Sequence, residues 1–134
     1  MLKRFTLLIP FALVASIVMF VPHAATAATP TCMGHTATIV GSNGADSIEP
    51  RDTSGNDVIV TLGGDDTIHA GGGNDIICAG SGDDLVNAMK GQDLVSCGIG
   101  NDECAGGYDS DTVWLGVGND NYDGDLIESA PGPP

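Results

Sequence analysis

From residue 41 onward an apolar residue recurs at a fixed interval, each time two places after an aspartate. Cut into nines, the chain reads GSNGADSIE (41–49), an insertion Pro50-Arg51, and DTSGNDVIV (52–60). TLGGDDTIH, AGGGNDIIC, AGSGDDLVN, AMKGQDLVS, CGIGNDECA, GGYDSDTVW and LGVGNDNYD then run without a gap to residue 123. The apolar beat falls at position eight: Ile48, Ile59, Ile68, Ile77, Val86, Val95, Cys104, Val113 and Tyr122. Position six is aspartate in all nine blocks: Asp46, Asp57, Asp66, Asp75, Asp84, Asp93, Asp102, Asp111 and Asp120. Position four is glycine in eight, at Gly44, Gly55, Gly64, Gly73, Gly82, Gly91, Gly100 and Gly118, with Asp109 the exception. A fixed period of this kind marks stacked repeats.

The residue types say what each unit does. Positions one to six predict a turn, with glycine where the backbone takes unusual dihedrals. Positions seven to nine predict a short strand with one side chain pointing inward. One unit buries almost nothing, but stacked units bury a column of position-eight side chains and pair their strands. Two nonapeptides make one coil of 18 residues, so alternate repeats stack on the same side. Upstream, CMGHTATIV (32–40) keeps Ile39 at position eight but has Ala37 in place of the aspartate. It predicts a metal-free capping half-coil within an N-terminal capping segment, 28–40.

The first stretch has a different pattern. Lys3-Arg4 precedes an apolar run from Phe5 to Val21, and Ala25-Thr26-Ala27 has the small-residue spacing of a cleavage site. This predicts a signal peptide over 1–27 and a secreted, extracellular chain starting at Ala28. The run is short for a retained membrane span. Residues 124–134 are expected to form a C-terminal tail.

Charge sharpens the picture. All 18 acidic residues follow Ala27, against two basic ones, Arg51 and Lys90, so the mature chain carries a net charge of −16. Such a chain repels itself unless cations neutralise it. Nucleic acid is excluded as a partner, because binding it needs clustered Lys and Arg. An anionic membrane surface is disfavoured for the same reason. Calcium explains the aspartates: it takes six to eight oxygens from carboxylates and backbone carbonyls. Glycine-rich turns can aim carbonyls inward while position six adds charge, so two stacked turns can enclose one ion.

This pattern resembles the RTX (repeats-in-toxin, haemolysin-type) nonapeptide G-G-x-G-x-D-x-U-x, over about residues 41–123. The resemblance implies an all-β fold, a right-handed parallel β-roll of nine repeats; the apolar N-terminal run adds a signal helix ahead of it. It also implies calcium between successive turns on the same side. The nine aspartates would be ligands, and the turn backbone at the position-four glycines would complete the shells. Repeats two (Asp52, Thr53) and six (Ala88, Met89) lack both leading glycines, and Asp109 puts the site of repeat eight in question. Many family members carry the repeats behind a catalytic or pore-forming domain; this chain looks more like the small stand-alone exported members.

Other chemistry finds little footing. His69 falls at an outward position and His35 in the cap, neither with a nucleophile in a recognisable arrangement. Asp65-Asp66 and Asp83-Asp84 could mimic an acid/base pair, but they are repeat positions five and six. No G-x-x-x-x-G-K-[ST] loop and no EF-hand spacing occurs. A non-catalytic calcium-binding module is therefore expected. The rivals are an adhesion or surface-structural protein, an ice-binding roll and a hydrolase with an unseen site. Position three (Ser54, Gly63, Gly72, Ser81, Lys90, Ile99, Tyr108, Val117) forms no regular Thr/Asn array, which disfavours ice binding.

Four cysteines in an exported chain suggest disulfides, with three connectivities open. Cys78 and Cys97 lie diagonally across neighbouring strands and are the favoured pair, with Cys104 a small core residue. No C-x-x-C or His/Cys cluster points to zinc. Finally, even repeats place Val58, Ile76, Leu94 and Thr112 at position seven and Val60, Cys78, Ser96 and Trp114 at position nine. If both positions face out, this stripe is a candidate surface for a protein partner or self-association, unless the tail or local packing covers it.

Overall fold

The computed structural model describes residues 28–49 and 54–124. The predicted signal segment, the Pro50-Arg51 insertion, Asp52-Thr53 and the predicted tail from residue 125 lie outside the described residues. The strands, in chain order, are β1 (Thr31–Cys32), β2 (His35–Thr36), β3 (Ile39–Val40), β4 (Ser47–Ile48), β5 (Val58–Val60) and β6 (Thr67–His69). They continue with β7 (Ile76–Ser81), β8 (Leu85–Asn87), β9 (Leu94–Ile99), β10 (Glu103–Ala105), β11 (Thr112–Val117) and β12 (Asn121–Tyr122). Among the described residues there is no helix.

Apart from the antiparallel β1–β2 hairpin, the strands form two five-stranded parallel sheets. One runs β3-β5-β7-β9-β11 and carries the even repeats; the other runs β4-β6-β8-β10-β12 and carries the odd ones. The chain alternates between them, making a parallel β-solenoid of about four turns. Register shows the period directly: Ile59 pairs with Ile77, Ile77 with Val95 and Val95 with Val113. On the odd side Ile68 pairs with Val86 and Val86 with Cys104. Ile39 pairs with Ile59 and Ile48 with Ile68, two residues wider than the later coils. The two-residue insertion is thus absorbed in the first coil without shifting any side chain to the wrong face, which a one-residue slip would do.

Position eight is the core. Ile59, Ile68, Ile77, Val86, Val95 and Cys104 are at most 1 % exposed. Ala70, Ala79, Ala88 and Cys97, all at position one, are buried in the same cluster. Burying each branched aliphatic side chain is worth about 1.5–3 kcal/mol, and the parallel ladders hold these side chains in register. Ile39, Ile48 and Tyr122 are only partly buried, as the ends of a stack must be. Ile39, whose turn has no aspartate, starts the even sheet.

The structure departs from expectation in three places. The even strands β7, β9 and β11 run for six residues, through position three of the following repeat, while β6, β8 and β10 stop after three. On the odd side only the bridges Gly72–Lys90 and Lys90–Tyr108 continue the ladder. Next, Cys78 and Cys97 are not joined. Cys78 pairs in register with Ser96, and successive side chains on a strand face opposite ways. Cys78 is therefore outward and half-buried, whereas Cys97, one residue further, is wholly buried. The disulfides are Cys32–Cys78, tying the hairpin to the even sheet, and Cys97–Cys104, across the core. Lastly, the even-face stripe is not open surface. Val58, Ile76, Leu94 and Trp114 are half-buried and Val60 is buried, with β1 packed against β5 and β7. Among the described residues the most exposed large apolar ones are instead Ile99, Tyr108 and Val117, all at position three.

Candidate calcium-binding columns

From repeat three onward each turn is built by two residues with positive φ. At position four these are Gly64, Gly73, Gly82, Gly91, Gly100 and Gly118, with φ from 105° to 158°. At position two Gly71, Gly80, Gly98, Gly107 and Gly116 do the same. Leu62 (φ 74°) and Met89 (φ 80°) adopt the geometry without being glycine, and so does Asp109 (φ 81°) at position four. The turn is therefore retained in repeats six and eight, at the steric cost an L side chain meets there. Gly44 and Gly55, in the first two turns, are not among the positive-φ glycines.

The position-four glycines also meet a packing demand. A Cβ on Gly73, Gly82, Gly91, Gly100 or Gly118 would overlap the carbonyl oxygen of the position-four glycine one coil earlier. At Gly91 and Gly100 it would also come within 3.2 Å of Oδ1 of Asp93 and Asp102 respectively. The missing side chain leaves a small space bordered by a main-chain carbonyl and a carboxylate.

The position-six aspartates form two columns, Asp57-Asp75-Asp93-Asp111 on the even side and Asp46-Asp66-Asp84-Asp102-Asp120 on the odd side. Each reaches back one coil: Oδ1 accepts the backbone N–H of the preceding aspartate in its column. The rungs are Asp46 to Asp66 (2.8 Å), Asp57 to Asp75 (2.8 Å), Asp66 to Asp84 (2.9 Å) and Asp75 to Asp93 (2.8 Å). Asp84 to Asp102 (2.9 Å), Asp93 to Asp111 (2.9 Å) and Asp102 to Asp120 (3.1 Å) complete them. These seven rungs equal the seven pairs that nine repeats offer at a spacing of two. The rung at Asp111 is formed although its repeat has Asp109 at position four.

The other oxygen of each central carboxylate has a different fate. Oδ2 of Asp66, Asp75, Asp84, Asp93 and Asp102 is buried and has no hydrogen-bond partner. The end aspartates differ. Asp46 Oδ2 accepts from Ser42 N–H (2.6 Å) and Ser42 Oγ–H (3.1 Å), and Asp57 Oδ1 accepts from Thr38 Oγ–H (3.2 Å). Asp57, Asp111 and Asp120 are half-buried.

A family model for the RTX calcium-binding nonapeptide repeat matches four copies, in residues 52–86 and 98–126. The chain carries RTX calcium-binding nonapeptide repeats. No match was found among curated proteins or among solved structures. RTX nonapeptide repeats bind Ca2+, and the turns of this RTX chain suit that ion. A buried carboxylate oxygen left without a donor is costly, and a hard cation drawing on carboxylate and carbonyl oxygens removes the cost. Among the described residues no three His, Cys, Asp or Glu side chains gather at one point. A cation in these turns would therefore need main-chain oxygens beside the carboxylates.

Electrostatics point the same way. Burial pushes the carboxyls of Asp84 and Asp93 up to about 6, and neighbouring carboxylates push in the same direction. Asp65, Asp66 and Asp102 act on Asp84; Asp75, Asp109 and Asp111 act on Asp93. Asp75, Asp102 and Asp111 are raised as well, again chiefly by burial. The RTX columns hold negative charge that the protein itself leaves uncompensated.

Position five escaped the sequence reading. Asn74 N–H donates to Asn56 Oδ1 (2.8 Å), Gln92 N–H to Asn74 Oδ1 (3.0 Å), Asp83 N–H to Asp65 Oδ1 (3.0 Å) and Asn101 N–H to Asp83 Oδ1 (2.8 Å). This outer ladder runs opposite to the aspartate rungs, with each side chain reaching forward rather than back. The signal was present: position five is Asn, Asp or Gln in seven of nine repeats.

Proposed function

We propose that this protein is an exported, non-catalytic calcium-binding roll whose chain folds when calcium binds. The observation that carries the proposal is the set of five buried, partnerless carboxylate oxygens in two columns. Asp66, Asp75, Asp84, Asp93 and Asp102 are the central ligands. Asp57, Asp111 and Asp120 act at the ends, as does Asp46 once calcium displaces Ser42. The position-four carbonyls contribute the main-chain oxygens. When bound, calcium supplies positive charge that offsets the desolvated carboxylates. The aspartate rungs hold Oδ1 to the neighbouring coil and leave Oδ2 free to coordinate. In the calcium-free chain the net charge of −16 opposes stacking, and binding energy becomes folding energy.

Export is supported by the basic start, the apolar run and the Ala25-Thr26-Ala27 spacing, and extracellular calcium would then drive folding. A protein partner on the even face is less favoured, because the hairpin lies over part of it and the stripe is half-buried. Circular dichroism of the secreted chain in calcium and in EDTA tests the reading, with calorimetry to count ions. At pH 7 a β spectrum only in calcium, and up to seven ions, is expected. Identical strong β spectra in both buffers would defeat coupled folding, and an absence of calcium heat would defeat the whole reading.

A further inference from the structure

Repeat seven differs from its neighbours in the core. At positions one and eight, repeat five has Ala79 and Val86 and repeat six has Ala88 and Val95, all buried. Repeat seven has Cys97 and Cys104 there, both 0 % exposed and joined to each other. The bond connects β9 to β10 and so closes the turn 98–103 at its base. Within that turn lie Gly98 (φ 118°), Gly100 (φ 152°) and Asp102, whose Oδ1 is held by Asp84 N–H and whose Oδ2 is buried without a partner. Cys32–Cys78, by contrast, joins residues 46 apart in sequence against 7 and fastens the hairpin rather than a turn.

We propose that the Cys97–Cys104 disulfide positions the calcium turn of repeat seven, so that its oxidation sets calcium affinity there and calcium in turn shields the bridge from reduction. The proposal rests on the calcium reading above. A turn with two left-handed glycines loses much freedom on ordering, and a covalent closure removes that freedom before calcium arrives. The coupling is reciprocal by thermodynamic necessity. Reduction needs a thiolate to reach a sulfur, and both sulfurs are enclosed while the roll is closed. In the opened chain a dithiol reductant gives up two electrons and two protons. It becomes its own disulfide, and Cys97 and Cys104 become thiols. In Cys32–Cys78 the Cys32 end is buried too, but Cys78 is half-buried and gives a reductant approach from one side.

The test uses the full oxidised chain beside two variants, Cys97→Ala/Cys104→Val and Cys32→Ala/Cys78→Ser. The first restores the Ala/Val pair of repeats five and six, so the core stays filled. Calcium titrations followed by circular dichroism give the folding midpoint. If crosslinks act only through chain entropy, the longer loop matters more, and loss of Cys32–Cys78 raises the midpoint further. Positioning predicts the opposite: loss of Cys97–Cys104 raises it about fivefold or more, and loss of Cys32–Cys78 raises it less. Dithiothreitol treatment with alkylation and mass spectrometry reads the reverse coupling in the unmodified sequence. Labelling of Cys97 and Cys104 should be strongly slowed by calcium, while Cys32 and Cys78 label in both buffers. Equal labelling of Cys97 with and without calcium, in a chain that calorimetry shows to bind calcium, overturns the proposal. A chain that binds no calcium in any form overturns the calcium reading instead.

Discussion

Asp84 shows how one side chain serves two purposes. Its Oδ1 accepts the N–H of Asp66, and its Oδ2 is buried with no partner. Asp84→Asn separates the two. The amide keeps an acceptor for the rung but replaces the second oxygen with NH2 and removes the charge. Calorimetry should show calcium binding at that site weakened by about tenfold or more, and circular dichroism in EDTA should show at least as much residual β signal in the variant as in the parent. Less β signal than the parent in both buffers would mean the carboxylate is only a structural rung. Backbone strain gives a second prediction at this scale. Met89 holds φ 80° at a position where five other repeats have glycine. Met89→Gly should stabilise the calcium-loaded roll by about 1 kcal/mol, the strain relieved being partly offset by a more flexible unfolded chain. Gly100→Ala should act in the other direction, and more strongly, because its Cβ meets the Gly82 carbonyl. Denaturant titration in calcium measures both.

At the scale of the element, each column is a line of carboxylates at one-coil spacing, and its charge decides how pH acts. Asp84 and Asp93 have carboxyls near 6 in the folded chain against an ordinary 3.8. The calcium-free roll therefore favours their protonated forms. Their contribution is fully present below about pH 3.8 and is lost as pH rises through about 6. In EDTA the β signal should be greatest near the acid end and fall across that window. In saturating calcium the order reverses, since protons compete with the ion for the same oxygens, and binding should weaken as pH drops below about 6. A calcium-free β signal that grows from pH 4 to pH 7 would contradict this account.

At the scale of the whole molecule, self-repulsion and a thin core act together. The core is a thin stack of position-eight side chains from two sheets with alanine between them, and the chain's net charge of −14 surrounds it. Screening alone does not satisfy the buried carboxylate oxygens, so sodium chloride should not replace calcium in driving the roll. Magnesium should also fail at equal concentration, because it dehydrates reluctantly and demands near-ideal octahedral geometry. Size-exclusion chromatography in the three salts checks this: a compact elution volume is expected with calcium only. Compaction by magnesium to the same volume would point to charge neutralisation rather than coordination.

Much of this was legible in the linear chain, because a solenoid writes its geometry into a period. Position eight of each repeat, from Ile59 to Val113, is buried as the pattern required, and coil spacing follows from two nonapeptides per turn. The glycine and aspartate positions named the turn and its chemistry. What needed the tertiary structure was whatever depends on the neighbouring coil. That each carboxylate splits into a rung oxygen and a partnerless one arises from stacking. So does the outer ladder from Asn56 to Asn74 to Gln92, since a side chain's partner 18 residues away is visible only once the coils are in register. The cysteines show the limit most clearly. Diagonal proximity favoured Cys78 with Cys97, but the pleat places them on opposite faces of one sheet, and only the folded chain brings Cys104 across the core to Cys97 and the hairpin's Cys32 onto Cys78.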